Sequence, residues 1–248
     1  MINKVYFSVV IPVLNEEQYL GGLLSDLSNQ TCRDFEVVVV DGKSEDSTKE
    51  IVHKYQKSLP RLIFKEVARR NVAYQRNYGA SNSVGKYLVF IDADSRLPSD
   101  FFGSIKPLLL LDSPDGFSNW FSSTQEEVPY KSFAFLVSLA YWFISRIGSP
   151  AAPGSLIGVK RSIFKKVGGF LETIYFAEDR EFVQRLYKMH KAFKFYVKPI
   201  YSLSFRRIEK VGIVKFIFVF VLLNIKRQLG IKWDDDKDRD YPMGGRSY

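Results

Sequence analysis

The stretch Leu88-Val89-Phe90-Ile91-Asp92-Ala93-Asp94 is an unbroken apolar run that stops abruptly in two acids. A strand covered on both faces, as in a parallel sheet, needs no alternation with polar residues, so residues 88–91 read as such a strand. The acids then fall at its carboxyl end, where open α/β sheets place their ligands. Two hard-oxygen donors one residue apart on a loop suit Mg²⁺ or Mn²⁺ beside a diphosphate. An isolated Asp-x-Asp is equally an ordinary solvated loop, so its neighbours have to decide.

Upstream, residues 6–11 read as a first strand, and Pro12-Val13-Leu14-Asn15-Glu16-Glu17 closes it and opens a helix to about residue 27. Acids in a first turn suit the positive end of the helix dipole. Residues 35–40 form a second β-branched run ending in Asp41-Gly42-Lys43-Ser44, so Asp41 holds the same topological place as Asp92. A helix over 45–57, a strand over 62–66 and a helix over 71–83 lead through Gly85 back to the opening strand. This alternation predicts right-handed crossovers, one parallel sheet and a nucleotide-type crevice along its carboxyl edge.

Downstream the rhythm changes. A helix over 97–111 and a strand over 116–122 precede residues 132–145, which are uncharged and rich in aromatics. The small-residue loop Gly148-Ser149-Pro150-Ala151-Ala152-Pro153-Gly154-Ser155 follows, of the kind that moves or approaches a ligand closely. Then come a strand over 156–159, a helix from Ser162, a tight turn at Gly168-Gly169-Phe170, a helix over 177–190, and strands over 193–197 and 202–205. Residues 211–225 are apolar but carry Lys215, leaving a clean run of ten, whereas a spanning helix needs roughly 20. That segment and residues 132–145 are each read as a core or subunit-contact helix or as a helix in a membrane interface. Arg206, Arg207, Lys210, Lys226 and Arg227 move the C-terminal one towards a membrane surface.

Composition sets the outer limits. A chain of 248 residues, 46% hydrophobic and 25% charged, fits one large α/β domain. The single cysteine, Cys32, leaves no intramolecular disulfide and points to a reducing compartment. The first apolar run is broken by Pro12 and followed by acids, so no secretory signal is expected. The net charge of +9 is concentrated: residues 160–227 hold 16 Lys and Arg against 5 Asp and Glu, or +11. Such a face attracts polyanions: nucleic acid, phosphate-bearing substrates or an anionic membrane. No nucleic-acid-binding motif accompanies it. His53 and His190 lack partners at ligand spacing, and no nucleophilic Ser or Cys arrangement or Gly-x-x-x-x-Gly-Lys loop is present, which argues against hydrolases and P-loop enzymes.

The ordered set Pro12-x-x-Asn15-Glu16, Asp41, Arg76-Asn77-x-Gly79 with Gly85, Asp92-x-Asp94, Gly168-Gly169-Phe170 and Glu178-Asp179 resembles the family 2 glycosyltransferases of GT-A fold. The resemblance covers about residues 7–207. It implies a single Rossmann-like α/β domain with a central, mostly parallel sheet flanked by helices. Residues 1–95 would form the nucleotide-binding half and 96–207 the acceptor half. An apolar, basic helical segment at 208–232 and a disordered acidic tail at 233–248 would follow.

The resemblance also implies a nucleotide-sugar donor, UDP- or GDP-linked, and an inverting displacement onto a sugar or lipid-linked acceptor. Asp94, with Asp92 nearer the ribose or a metal-bound water, would hold the Mn²⁺ or Mg²⁺. Asp179 is the matched general base, with Glu178 positioning the acceptor or the base. Asp41 would meet the nucleobase, the main chain at Pro12 with Asn15 and Glu16 would shape the nucleoside pocket, and Arg76 would approach the diphosphate. A cytoplasmic location at the inner face of the cell membrane is expected.

Two departures refine this. The Gln-x-x-Arg-Trp signature and the multiple spanning helices of the family's processive synthases are missing, which favours transfer of one sugar. Position 42 is Gly where many relatives carry a second acid, so the nucleobase, uracil or guanine, stays open. Two other readings remain: a sugar nucleotidyltransferase, although residues 12–17 lack the Gly-rich loop with Arg and Lys, and a catalytically silent nucleotide-sugar-binding protein.

Overall fold

A computed structural model describes residues 5–147, 152–174 and 177–212. The first half runs β1 (Phe7–Val13), α1 (Leu20–Ser28), β2 (Phe35–Asp41), α2 (Thr48–Lys54), β3 (Leu62–Glu66), α3 (Val72–Ser81) and β4 (Tyr87–Ile91). The second half runs α4 (Phe101–Asp112), β5 (Gly116–Ser123), α5 (Val128–Arg146), β6 (Leu156–Lys160), α6 (Arg161–Val167), α7 (Glu178–Lys188), β7 (Phe193–Leu203) and α8 (Arg206–Val211). All seven strands share one sheet, in the order β3-β2-β1-β4-β6-β5-β7. Both halves of the chain are therefore built on a single scaffold.

The opening stretch is the central strand it was expected to be. Every residue of β1, β2 and β4 is buried, and each fully buried Val, Leu or Phe contributes about 1.5–3 kcal/mol. Two polar residues in this core are matched to each other: Ser8 donates to Glu36 at 2.6 Å, and the same carboxylate takes the Val84 amide at 2.7 Å and faces Arg61 at 3.0 Å. That knot seats the turn before β4. A side chain at Gly85 would meet the Phe7–Ser8 backbone at 2.7 Å, and one at Gly79 would strike Val10 at 2.4 Å. Glycine is required at both, because α3 and the turn lie directly on β1.

The sheet is mostly parallel, as expected; its antiparallel member is β6, which runs opposite to β4 and to β5. β7 is parallel to β5. With β6 reversed, its N-terminal end arrives at the carboxyl edge of the sheet, where the Asp92 amide donates to the Ser155 carbonyl at 3.2 Å. The edge thus gathers the ends of β1, β2, β4 and β7 together with the loop that enters β6.

Other boundaries also move. The first helix begins at Leu20 rather than within residues 12–17, because Pro12 and Val13 stay paired with Val40 and Asp41. Asn15 then turns left-handed at φ 54°, so Glu16 and Glu17 lie in a loop and not in a helical turn. Their amides are taken by Thr48, the first residue of α2, and Asp46 of the loop before it, at 2.9 and 3.0 Å. The strands expected at 193–197 and 202–205 are one strand, β7, whose register against β5 shifts between Asn119 and Phe121. Residues 132–145 lie within α5. No helix among the described residues is long and apolar enough to cross a membrane. Beyond residue 212, the apolar segment and the acidic tail lie outside the described residues.

Candidate active site

Helix α3 delivers the residue that joins the two halves. Arg76 is only 2% exposed, and its guanidinium donates to Glu178 at 2.6 Å, to Asp92 at 3.0 Å and to the Gly154 carbonyl at 3.1 Å. It also lies over the Phe170 ring at 5.3 Å. Burial opposes its charge, but Asp92, Glu178 and Asp179 together outweigh that and hold it above its ordinary value. Arg76 was expected at the diphosphate; instead it is committed to carboxylates from both halves.

The next residue of α3, Asn77, explains the glycine turn. Its amide donates to the Phe170 carbonyl at 2.9 Å and accepts from the Phe170 amide at 2.9 Å. Gly168 and Gly169 both have positive φ, 83° and 68°, and a side chain on Gly169 would meet the Asn77 oxygen at 2.6 Å. The turn therefore needs glycine for both conformation and space. It anchors the approach to α7 on the same helix that carries Arg76.

Helix α7 opens on the two acids. Neither caps the helix with its side chain: the N-cap is Ala177, held left-handed at φ 56°. Glu178 is buried and taken by Arg76. Asp179 accepts from the Arg180 amide at 2.7 Å and packs so tightly under Gly154 that a side chain there would meet its Oδ2 at 2.6 Å. Burial, reinforced by the adjacent Glu178 charge, pushes the Asp179 carboxyl up to about 7, while Arg76 and the Arg180 amide pull the other way. A carboxylate with that affinity for protons is suited to accept one at neutral pH.

The other acids lie at the ends of β1, β2 and β4. Asp41 is 1% exposed and accepts from the Ser44 amide at 3.0 Å and hydroxyl at 2.6 Å, with burial raising its pKa against those bonds. Pro12 remains within β1. Asn15 binds loop to loop, its amide donating to the Ser44 hydroxyl at 2.9 Å and its side chain accepting from the Glu45 amide at 2.8 Å. Glu16 and Asp94 share a partner that the sequence reading had assigned elsewhere. Arg206 donates to both Glu16 oxygens at 2.7 and 2.9 Å, its Nε lies 3.1 Å from Asp94 Oδ2, and its guanidinium stacks over Tyr19 at 4.3 Å. Arg206, a basic flank of the C-terminal apolar segment in sequence, thus lies among these acids. Gly154 was covered only by the reading of its loop as a close-approach segment.

Residues 8–168 match the sequence profile described as Glycosyl transferase family 2. The chain belongs to this family. Among curated relatives, a PGL/p-HBAD biosynthesis glycosyltransferase of Mycobacterium bovis is 38% identical over 92 residues, 37% of this chain and 36% of that one. Glycosyltransferase GlyA of Streptococcus pneumoniae is 28% identical over 121 residues, 48% of this chain and 17% of that one. The chain thus matches well under half the length of either. Among solved structures, S. aureus TarS in complex with UDP superimposes with a TM-score of 0.66 at 23% identity, over 80% of this chain and 60% of that one. The mannosyltransferase PcManGT of Pyrobaculum calidifontis, in complex with GDP-Man and Mn²⁺, gives 0.66 at 23%, over 79% and 56%. At such identities the likeness establishes the GT-A fold.

The donor set bears on a metal. Asp92 and Asp94 offer hard carboxylate oxygens at one strand end, and no group of three or more His, Cys, Asp or Glu among the described residues forms a metal cage. Mg²⁺-type sites commonly use one or two carboxylates and take their remaining ligands from phosphate and water. The pair fits a cation that arrives with a diphosphate rather than one held permanently by protein.

Proposed function

We propose that the chain transfers one sugar from a UDP- or GDP-sugar to an acceptor hydroxyl or phosphate, with inversion at the anomeric carbon and with a divalent cation. The observation that carries this reading is the meeting, through buried Arg76, of Asp92 at the end of β4 with the acid pair that opens α7. A single displacement needs two opposed functions, charge stabilisation at the leaving diphosphate and a base at the attacking oxygen. The two sets of acids supply one each.

Asp179 takes the acceptor proton as the new bond forms. Glu178, fixed by Arg76, holds the start of α7 so that Asp179 faces the acceptor. Asp94 and Asp92 hold the Mn²⁺ or Mg²⁺, which when bound supplies Lewis-acid stabilisation of the departing diphosphate. Asp41, Asn15, Glu16 and the main chain at Pro12 form the nucleoside end. Arg206, whose Nε lies 3.1 Å from Asp94 Oδ2, is placed to pair with phosphate oxygens of the donor. TarS binds UDP and UDP-GlcNAc, and PcManGT binds GDP-Man; Gly42 fits either base. A lipid-linked or glycolipid acceptor at the inner face of the cell membrane suits the +11 charge of residues 160–227.

The test is a thermal-shift panel of UDP- and GDP-sugars with Mn²⁺ and Mg²⁺, followed by transfer assays of Asp179→Asn. We expect the variant to keep the donor-dependent shift, since ligand stabilisation reports affinity, and to lose about 10²–10⁴-fold in turnover. Unimpaired transfer sinks the base assignment. Pyrophosphate release from sugar phosphate and a nucleoside triphosphate would establish the nucleotidyltransferase reading instead.

A further inference from the structure

The site chemistry leaves one surface unexplained, the outer face of α5. Its inner face is pinned to β5, where the Ser138 hydroxyl donates to the Phe121 carbonyl at 3.0 Å and accepts from the Phe121 amide at 3.2 Å. Its outer face carries Val128, Phe135, Leu136, Leu139, Phe143 and Ile147, each 39–74% exposed. Between Lys131 and Arg146 there is no charged residue at all. A solvent-facing helix ordinarily carries its charges on that side, and a contiguous exposed apolar face marks an interaction surface.

We propose that the outer face of α5 lies in the interface of an anionic membrane, so that the acceptor side of the active site opens at the lipid headgroup layer. Three observations select lipid over other occupants. First, α5 packs on the strands of the acceptor half: its inward-facing Tyr141 lies on Phe121 of β5 at 6.3 Å and Phe195 of β7 at 6.1 Å, and burial, with the Asp179 charge adding to it, holds that phenol above its ordinary value. Second, the ends carry basic and aromatic groups of the interfacial kind. Arg146 lies over Trp142 at 4.8 Å, Trp120 packs on Phe135 at 5.4 Å, and α5 contains no acid, although Lys131 is paired with Glu126 just before it. The chain's net charge of +9 complements anionic headgroups. Third, Phe205, just before α8, packs on Tyr130 and Phe133 of α5, and the uncharged run 216–225, apolar except for Asn224, follows α8 in sequence. The inference rests on the transfer reading only for what the face serves, because vesicle binding is measured without turnover.

The experiment is flotation of the full chain with phosphatidylcholine vesicles, with and without phosphatidylglycerol, alongside donor-induced thermal shift as an independent check of the site. Leu136→Glu with Phe143→Glu places charges on two exposed positions and should reduce partitioning onto anionic vesicles by at least about tenfold. Leu136→Phe with Phe143→Leu keeps the face apolar and should bind as the parent does. Both pairs should keep the parent's donor shift, so that loss of the membrane reading and loss of the transfer reading give different results. Flotation of the Glu pair equal to the parent overturns the proposal, as does a parent that does not float. A parent dimer that the Glu pair dissociates assigns the face to a second copy. Loss of flotation on Phe218→Glu with Leu222→Glu, with the α5 Glu pair still bound, assigns membrane contact to the later segment.

Discussion

Two arginines hold the acids of this site, and they do so under different conditions. Arg76 sits on the ten-residue helix α3 with its side chain 3% exposed, and it bridges Asp92 and Glu178. Arg206 sits on the six-residue α8 with its side chain 24% exposed, and it bridges Glu16 and Asp94. The first pairing is walled in by Phe170 and Gly154, and α3 is pressed onto β1 at Gly79, so its geometry cannot relax. The second joins segments 190 residues apart at the margin of the sheet, where water can replace either partner. The site therefore has a fixed side, around the proposed base, and an accessible side, where the proposed cation and phosphates would take over from a guanidinium.

The largest effect should come from breaking the fixed side. Arg76→Met removes the guanidinium that pairs with the Glu178 carboxylate, which is 6% exposed, and leaves that carboxylate buried without its cation. Removing one member of a buried pair costs about 3–5 kcal/mol, which for a domain of this size lowers Tm by roughly 10 °C. Arg206→Met, on the accessible side, should cost about 1 kcal/mol or less. Thermal unfolding of the two variants side by side measures the contrast, and equal losses would erase it.

The same asymmetry governs pH. Asp179 is useful only when deprotonated, and its carboxyl is pushed up to about 7 by burial and by Glu178, with Arg76 opposing. Lowering pH through that value fills the base with a proton, so kcat/KM should fall about tenfold per unit below about 7 and level off above it. Arg206 is not among the charges acting on Asp179, so Arg206→Met should leave the midpoint where it is. A flat profile between pH 5 and 8 would remove Asp179 from the role.

What the sequence disclosed and what it withheld follow from the range of the interactions. The strand at 88–91 and its terminal acids were legible because full burial on both faces writes a local apolar run. The glycines at 79, 85, 168 and 169 were legible as motif positions, and the structure gives each a contact or a backbone angle that demands it. The direction of β6 was hidden, since five residues pair equally well either way and only the path through α5 decides. Arg206 was misplaced for a related reason. Its neighbours in sequence are basic and apolar, which resembles a membrane flank, and nothing local records that β7 ends beside Glu16 and Asp94. Arg76 is a different case: an arginine beside acids at a phosphate-type edge is as consistent in sequence with binding phosphate as with joining carboxylates, and its burial between Asp92 and Glu178 is written only in the fold.

The accessible side offers the finest test. If Arg206 and a cation compete for Asp94, removing the guanidinium takes one competitor away from the carboxylate before any donor is present. Arg206→Met should then bind Mn²⁺ alone more tightly than the parent, by up to about fivefold, the most that a partly exposed ion pair worth about 1 kcal/mol can return. Titration calorimetry with the metal alone reads this directly. Raising ionic strength should shrink the difference, because screening weakens the parent's ion pair and does nothing in the variant. Weaker Mn²⁺ binding by Arg206→Met would show that Arg206 orients Asp94 for the cation rather than excluding it, and the accessible side would then be as fixed as the one Arg76 holds.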